Sequence, residues 1–412
     1  MSEDWDKLKD IHISSFDEEE EENEEVQVKD NGDVDSSDYT EFDEFDDDDE
    51  DGDEIPITLG FLEKPKNNWS LLRQLFPSKA GGVPAWLEPI NLPSGRSSLC
   101  DICSEPLQFL LQVYAPFSDK DYAFHRTLFV FMCPSMTCLN QDQHEQWKRL
   151  PEKASRSVKV FRSQLTRSNP FYSKEAPKYN GTDEPSIIGA SLCNWCGTWK
   201  GDKVCSSCRK TRYCSEKHQS LHWKSGHKID CCQLDAASQS SSCTGNKTTW
   251  PQFEIINEDE VLEEEEEEEG LNNSLVVGSK IDESVNSMLH DFEGDADKQS
   301  WVSFQDRIGR APEQIMRYCR HEKAKPLWPM HSGRPSKADI PNCSSCGGPR
   351  AFEFQILPQL LYYFGVKNDV DSLDWASIVV YTCENSCEGS SSYKEEFSWV
   401  QLASQTTTTT TV

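Results

Sequence analysis

The sequence predicts a mainly β protein with small zinc-stabilised modules. Two pseudo-symmetric β halves form one unit, a Cys/His-rich finger is inserted between them, and acidic disordered segments flank or interrupt the folded body. Three observations lead there. Short apolar, β-branched and aromatic runs of strand length occur in two separate regions, a cysteine-bounded pattern repeats between those regions, and the charge is gathered into tracts rather than spread along the chain.

The chain has 412 residues, a net charge of −31 and 36% apolar residues, with a mean hydropathy of −0.70. Residues 1–54 hold 27 Asp/Glu against three Lys/Arg, and residues 254–297 hold 17 acids against one lysine. The remaining 314 residues are therefore mildly basic, at +9. Such low-hydropathy acidic tracts cannot bury enough apolar surface to offset chain entropy, so 1–54 is expected to be a disordered head and 233–300 a disordered acidic linker.

Between them, 55–168 reads as an N-terminal β half. An entry segment carries Phe61, Trp69, Phe76 and Trp86, and strands are expected over 107–115, 127–132 and 157–165. Residues 169–192, polar and proline-bearing, read as a linker; 193–232 is the finger; 301–403 is the C-terminal β half, with a helix expected over 301–320; 404–412 is a threonine-rich tail. Placing Cys103 on Cys346 brings Pro106 onto Pro349, Phe109 onto Phe352 and Gln112 onto Gln355 without a gap. Each half then runs through an apolar strand into a cysteine, TLFVFMC ending at Cys133 and SIVVYTC ending at Cys383. The repeat predicts that the halves pack together across the insertion.

Cysteine spacing supplies the chemistry. The opening MSEDWDKLKD has no basic stretch followed by an apolar one, so a reducing compartment is expected, cytoplasmic and nuclear. No apolar run reaches the length needed to span a bilayer, the richest (352–366) being interrupted by Pro358. Under reducing conditions C-x2-C pairs point to metal rather than to disulfides. The central block runs Cys193-x2-Cys196-x8-Cys205-x2-Cys208-x5-Cys214-x3-His218-x8-His227-x3-Cys231, eight donors for two tetrahedral zinc sites. Interleaved, Cys193 and Cys196 join Cys214 and His218, while Cys205 and Cys208 join His227 and Cys231. This order and spacing closely resembles a MYND-type zinc finger, with His218 where most such fingers have cysteine. His222 and Cys232 stand near enough to compete as ligands. In the outer halves, Cys100, Cys103, Cys133 and Cys138 form one expected zinc set and Cys343, Cys346, Cys383 and Cys387 another; the alternative is buried free thiol.

Beyond the finger, LGFLEKP from Leu59, FPSKAGGVPAWL from Phe76, CDICSEPLQFLLQVYAPF from Cys100 and DIPNCSSCGGPRAFEFQILPQLLYYF in the second half resemble the programmed cell death protein 2 family over nearly all of 56–402. The resemblance implies a β-rich, pseudo-symmetric fold. It also implies a role in making the small ribosomal subunit, as a dedicated chaperone that holds a newly made basic ribosomal protein. The acidic tracts suit that role by steering a cationic client, and a monomer is expected.

Three other readings compete. In a MYND adaptor for transcription or cell-death control, Gln219 and Trp223 match positions that line a groove for Pro-rich peptides, although Trp223 could simply pack on the zinc core. Catalysis is not expected: there is no P-loop, no G-x-S-x-G and no H-E-x-x-H, since His144-Glu145 lacks the second histidine. Direct nucleic-acid binding would use the finger's eight Lys/Arg against three acids over 193–231, but a solvated basic face explains them equally.

Overall fold

The structure, a computed structural model, describes residues 55–67, 69–142, 155–185, 187–233, 249–260, 295–367, 369, 371–389 and 391–402. The acidic head, most of the acidic linker and the threonine tail lie outside the described residues.

The strands are β1 (Thr58–Glu63), β2 (Lys79–Ala80), β3 (Gln108–Tyr114), β4 (His125–Met132), β5 (Val158–Leu165), β6 (Lys203–Val204), β7 (Arg212–Tyr213), β8 (Phe253–Asp259), β9 (Met316–Tyr318), β10 (Arg350–Ile356), β11 (Ser377–Cys383) and β12 (Tyr393–Gln401). The α-helices are α1 (Met136–Gln141), α2 (Glu216–His222), α3 (Lys228–Gln233), α4 (Ala296–Gly309) and α5 (Gln359–Tyr363). Ten of the strands close into an antiparallel barrel in the order β1-β8-β2-β3-β4-β5-β12-β11-β10-β9, and β9 returns to β1. β6 and β7 form a separate two-stranded sheet in the finger.

All eight residues of β4 are buried, which explains why its sequence shows no polar alternation: both faces are covered. Leu128, Val130 and Met132 point to the barrel core with Leu111, Val113, Val160, Phe354, Ile378 and Val380, and Leu139 of α1 and Leu360 of α5 join the same core. Phe129 and Phe131 face the other way, into an outer layer with Phe109 and Phe161. The C-terminal half has its own outer layer of Phe352, Val379, Tyr381 and Trp399.

The strand registers carry the internal repeat through the barrel. Phe109 lies opposite Phe131 and Leu111 opposite Val130, with a bulge at Leu110. Phe352 lies opposite Tyr381 and Phe354 opposite Val380, with a bulge at Glu353. Glu353 is where the repeat places Leu110. A bulge adds one residue to one strand and sharpens the local twist, so two bulges at one repeat position bend both halves alike. Gln112 and Gln355 also act alike. Gln112 accepts from the Ala85 N–H (2.8 Å) and donates to the Pro77 carbonyl (2.9 Å), while Gln355 accepts from the Leu327 N–H (2.7 Å) and donates to the Leu327 carbonyl (2.9 Å). They anchor Pro84-Ala85-Trp86 and Pro326-Leu327-Trp328, a correspondence the sequence comparison did not reach.

The halves meet along two seams. In one, β5 pairs with β12, Val160 opposite Glu396 and Ser163 opposite Tyr393. In the other, the leading strand of each half is exchanged: β1 pairs with β9 of the C-terminal half, β8 pairs with β2 of the N-terminal half, and β1 pairs with β8.

This arrangement corrects two expectations. The span 233–300, read as a disordered linker, contains β8 and the start of α4. Ile255 of β8 is buried in the barrel core, while Glu254 and Glu258, at alternating positions, give the strand the composition of its acidic surroundings. The helix expected over 301–320 is Ala296–Gly309, and the chain then extends into β9. Residues 169–192 form neither helix nor named strand among the described residues, although Tyr172 is buried and donates to the Leu87 carbonyl at 2.6 Å.

Candidate metal centres

The structure brings the sixteen predicted ligands into four groups of four: Cys100/Cys103/Cys133/Cys138, Cys193/Cys196/Cys214/His218, Cys205/Cys208/His227/Cys231 and Cys343/Cys346/Cys383/Cys387. In each group the ligand atoms lie within 4.8 Å of one another. The finger's sets interleave as the spacing predicted. His222 is in neither set; its Nδ1 lies 3.0 Å from the Tyr213 hydroxyl.

Local backbone geometry explains why the C-x2-C pairs converge. After the second cysteine the chain turns into the left-handed region and donates back to the first cysteine's carbonyl: Ser104 to Cys100 (2.9 Å), Gly197 to Cys193 (2.8 Å), Arg209 to Cys205 (2.9 Å) and Gly347 to Cys343 (2.8 Å). Their φ angles are 59°, 66°, 55° and 74°. Before Cys387 the chain makes a tighter turn, Ser386 donating to the Cys383 carbonyl three residues back (2.8 Å) at φ 46°. An L-residue in this region is strained, and that strain persists only where surrounding structure holds it. These knuckles aim both thiols to the same side.

The spacing of the donors fits a tetrahedral ion. With Zn–S at about 2.3 Å, the edge of a tetrahedron of sulfurs is about 3.8 Å. Sγ–Sγ separations are 3.7 Å for Cys103–Cys133, 3.9 Å for Cys196–Cys214, 3.9 Å for Cys205–Cys231, 3.7 Å for Cys343–Cys387 and 3.6 Å for Cys346–Cys383. A disulfide would need about 2.05 Å. His218 offers Nδ1, 3.7 Å from Cys193 Sγ, and His227 offers Nε2, 3.7 Å from Cys208 Sγ. Four protein donors close the coordination shell, so an ion held here would cross-brace the chain rather than bind substrate.

The outer groups differ in their surroundings. Around the C-terminal group, Arg162 of β5 approaches Cys387 Sγ at 3.8 Å, as does Lys394 Nζ, and Arg162 also donates to the Cys387 carbonyl at 3.2 Å. Glu396 orients Arg162 from 2.6 Å and accepts from the Cys383 N–H at 3.1 Å. Arg162, from the opposite half, and Lys394, from the same half, would therefore offset the negative charge of a metal-bound four-thiolate set.

The finger docks on the barrel through Trp199. Its indole N–H donates to the Leu107 carbonyl at 2.7 Å and its ring lies 4.4 Å from that of Phe131, while the Trp86 indole donates to the Thr198 carbonyl at 2.9 Å. Spacing could locate the ligands but not this contact; a tryptophan beside a knuckle was the available signal. Gln219 lies within α2 and Trp223 directly follows it. Trp223 remains 38% exposed, though its ring meets the His227 ring edge-on at 5.9 Å. Among the described residues, no helix is long and apolar enough to cross a membrane.

A closed barrel of two β halves, with four Cys/His centres and an eight-ligand finger carried between the halves, defines a zinc-finger protein of bipartite β architecture. Family models for the N-terminal domain of programmed cell death protein 2, its C-terminal domain and the MYND finger match residues 56–179, 298–402 and 193–231. The chain is 38% identical to programmed cell death protein 2 of Rattus norvegicus over 366 residues, 85% of this chain and 98% of the relative. It is 39% identical to that of Mus musculus over 363 residues, covering 85% and 98%. The chain belongs to the programmed cell death protein 2 family. A shorter match, 31% over 96 residues (20% of this chain and 22% of the relative), is to a Schizosaccharomyces pombe protein described as probable 20S rRNA accumulation protein 4. No solved structure matches the chain.

Proposed function

We propose that this protein is a non-catalytic, zinc-stabilised chaperone that captures a basic small-subunit ribosomal protein during 40S ribosome biogenesis, acting as a monomer in cytoplasm and nucleus. The observation that carries the reading is the segregation of charge: residues 1–54 at −24 and 261–294 at −10, beside a remainder at +3 that includes β8 and α4. Unscreened acids raise the encounter rate with a cationic client. Screening over about 8 Å at physiological salt confines the tracts to steering, so docking falls to the folded body. The name of the fission-yeast relative, which refers to 20S rRNA accumulation, supports the same direction.

Affinity purification of the full chain from growing cells tests this. One basic ribosomal protein at near-stoichiometric yield is expected, and its association rate at low salt falls when 1–54 and 261–294 are deleted while affinity changes modestly. An unchanged rate would refute the steering role.

The exposure of Trp223 favours a second reading, a MYND adaptor that takes Pro-rich peptides at Gln219 and Trp223. In that case the co-purifying proteins are chromatin components, and Trp223→Ala removes them with zinc content intact.

A further inference from the structure

A cleft of about 350 Å³ opens beside β2, lined by Leu72, Lys79, Ala85, Trp86, Leu92 and Ala190 among others. The barrel's internal symmetry indicates what belongs there. Lys79 of β2 lies opposite Gln112, and Arg317 of β9 lies opposite Gln355, so Lys79 and Arg317 are counterparts. Ala85 and Leu327, held by those same glutamines, are counterparts as well.

In the C-terminal half this position is filled. Helix α4 lays Trp301, Phe304 and Ile308 against Leu327 and Leu357. Beneath it Glu260 accepts from Arg317 at 2.7 Å and from Arg307 at 2.7 and 2.9 Å. In the N-terminal half the described residues between β1 and β2, 64–67 and 69–78, contain no α-helix. Phe76 stacks 5.3 Å from Tyr114, the counterpart of Leu357, and covers that part of the seat. The part over Lys79 and Ala85 stays open, and alanine in place of leucine enlarges it.

Lys79 is left without the acid its counterpart has. Its side chain is 2% exposed. The ammonium donates to the Val83 carbonyl at 2.7 Å and to Gln252 Oε1 at 3.1 Å, using two of its three protons. No carboxylate lies within 4.0 Å of it among the described residues. A buried cation without a counter-charge is costly, and burial pulls the Lys79 ammonium down to about 7. Leu72, on the rim, is 44% exposed.

We infer that this cleft docks a short apolar segment of a partner protein bearing an Asp or Glu, whose carboxylate completes Lys79 as Glu260 completes Arg317. The cleft's lining includes neither Gln219 nor Trp223, and the inference does not depend on the identity of the ribosomal client.

The test pans a phage-displayed dodecapeptide library against the zinc-loaded full chain and measures the selected synthetic peptides by fluorescence anisotropy. The expected peptides combine two or more large apolar residues with an acid, and their affinity drops at least tenfold on both Lys79→Met and Leu72→Glu but is unchanged on Trp223→Ala. Changing the peptide's acid to its amide weakens binding to the parent chain and has no further effect on Lys79→Met. Leu72→Glu alters an exposed side chain, so the test does not depend on Lys79→Met folding. Peptides without acids, equal binding to the parent and both cleft variants, or no enrichment at all overturn the proposal. So does a gain in peptide affinity on deleting 261–294, which would assign the cleft to the chain's own acidic tract.

Discussion

Arg126 on β4 and Glu353 at the β10 bulge form a fully buried two-point ion pair, 2.5 and 2.7 Å, between the two halves of the barrel. Tyr318 and Thr382 also bond the carboxylate, so its capacity is used from three strands. Burial works to raise the Glu353 carboxyl, but the Arg126 guanidinium outweighs that and holds it down to about 2. Arg320 also approaches the Glu353 carboxylate at 3.9 Å, so removing Arg126 leaves that buried charge partly compensated, at a cost toward the lower end of about 3–5 kcal/mol. Arg126→Met is therefore expected to lower unfolding stability in urea by that order, and Arg126→Met with Glu353→Leu by clearly less. Equal losses for the single and double variants would mean that the pair holds no charge worth compensating.

His125 should make stability depend on pH. It stacks 4.2 Å from Phe76, its Nδ1 lies 2.9 Å from the Tyr114 hydroxyl, and burial pulls it down to about 4. Unfolded histidine titrates near about 6.5. The unfolded chain therefore binds the extra proton between those values, and stability present above about 6.5 is lost as pH falls toward 4, at no more than about 1.4 kcal/mol per pH unit. His125→Phe should flatten unfolding curves across that window; an unchanged slope would assign the dependence to other groups.

Native mass spectrometry should find four zinc ions on the full chain. Cys100→Ser and Cys343→Ser each should remove one and leave the finger's two. A parent chain with only two ions would return the outer thiols to packing roles.

Arg162 couples the C-terminal metal centre to the seam between halves. Loss of such an outer partner commonly weakens metal binding by about 10–100-fold. Arg162→Met should speed zinc transfer to a chelator from Cys343/Cys346/Cys383/Cys387 about tenfold, with the other three sites unaffected, as read by isotope-coded alkylation of released thiols. Arg162→Lys should recover part of the loss.

Trp199 should be the finger's main attachment. Truncating a buried tryptophan costs about 3–5 kcal/mol. Trp199→Ala should expose the junctions near residues 190 and 233 to limited proteolysis and release a finger that still holds two zinc ions. Unaltered cleavage would show that the contacts around Trp86 suffice.

Much of this was legible in the sequence. Cys103 and Cys346 aligned both halves because zinc knuckles fix backbone and ligand together, and spacing named the sixteen donors while leaving His222 and Cys232 open as competitors. What escaped was long-range or short. β2 and β9 contain two and three residues, too few for any periodicity. β8 lay hidden among acids because half of it faces away from the core. Lys79 and Arg317 gave no sign of being counterparts, since only the barrel registers relate them. Trp199 read as one aromatic among many until the packing on Phe131 was seen.

The exchanged leading strands have a consequence for synthesis. Thr58 must find Asp259 on one side and Tyr318 on the other, so β1 leaves the ribosome long before either neighbour exists. Until then the nascent N-terminal half presents unpaired edges, which readily accept foreign strands. Closure waits on contacts remote in sequence, which makes it slow. A truncated product would keep those edges permanently, and two crowded copies could trade first strands.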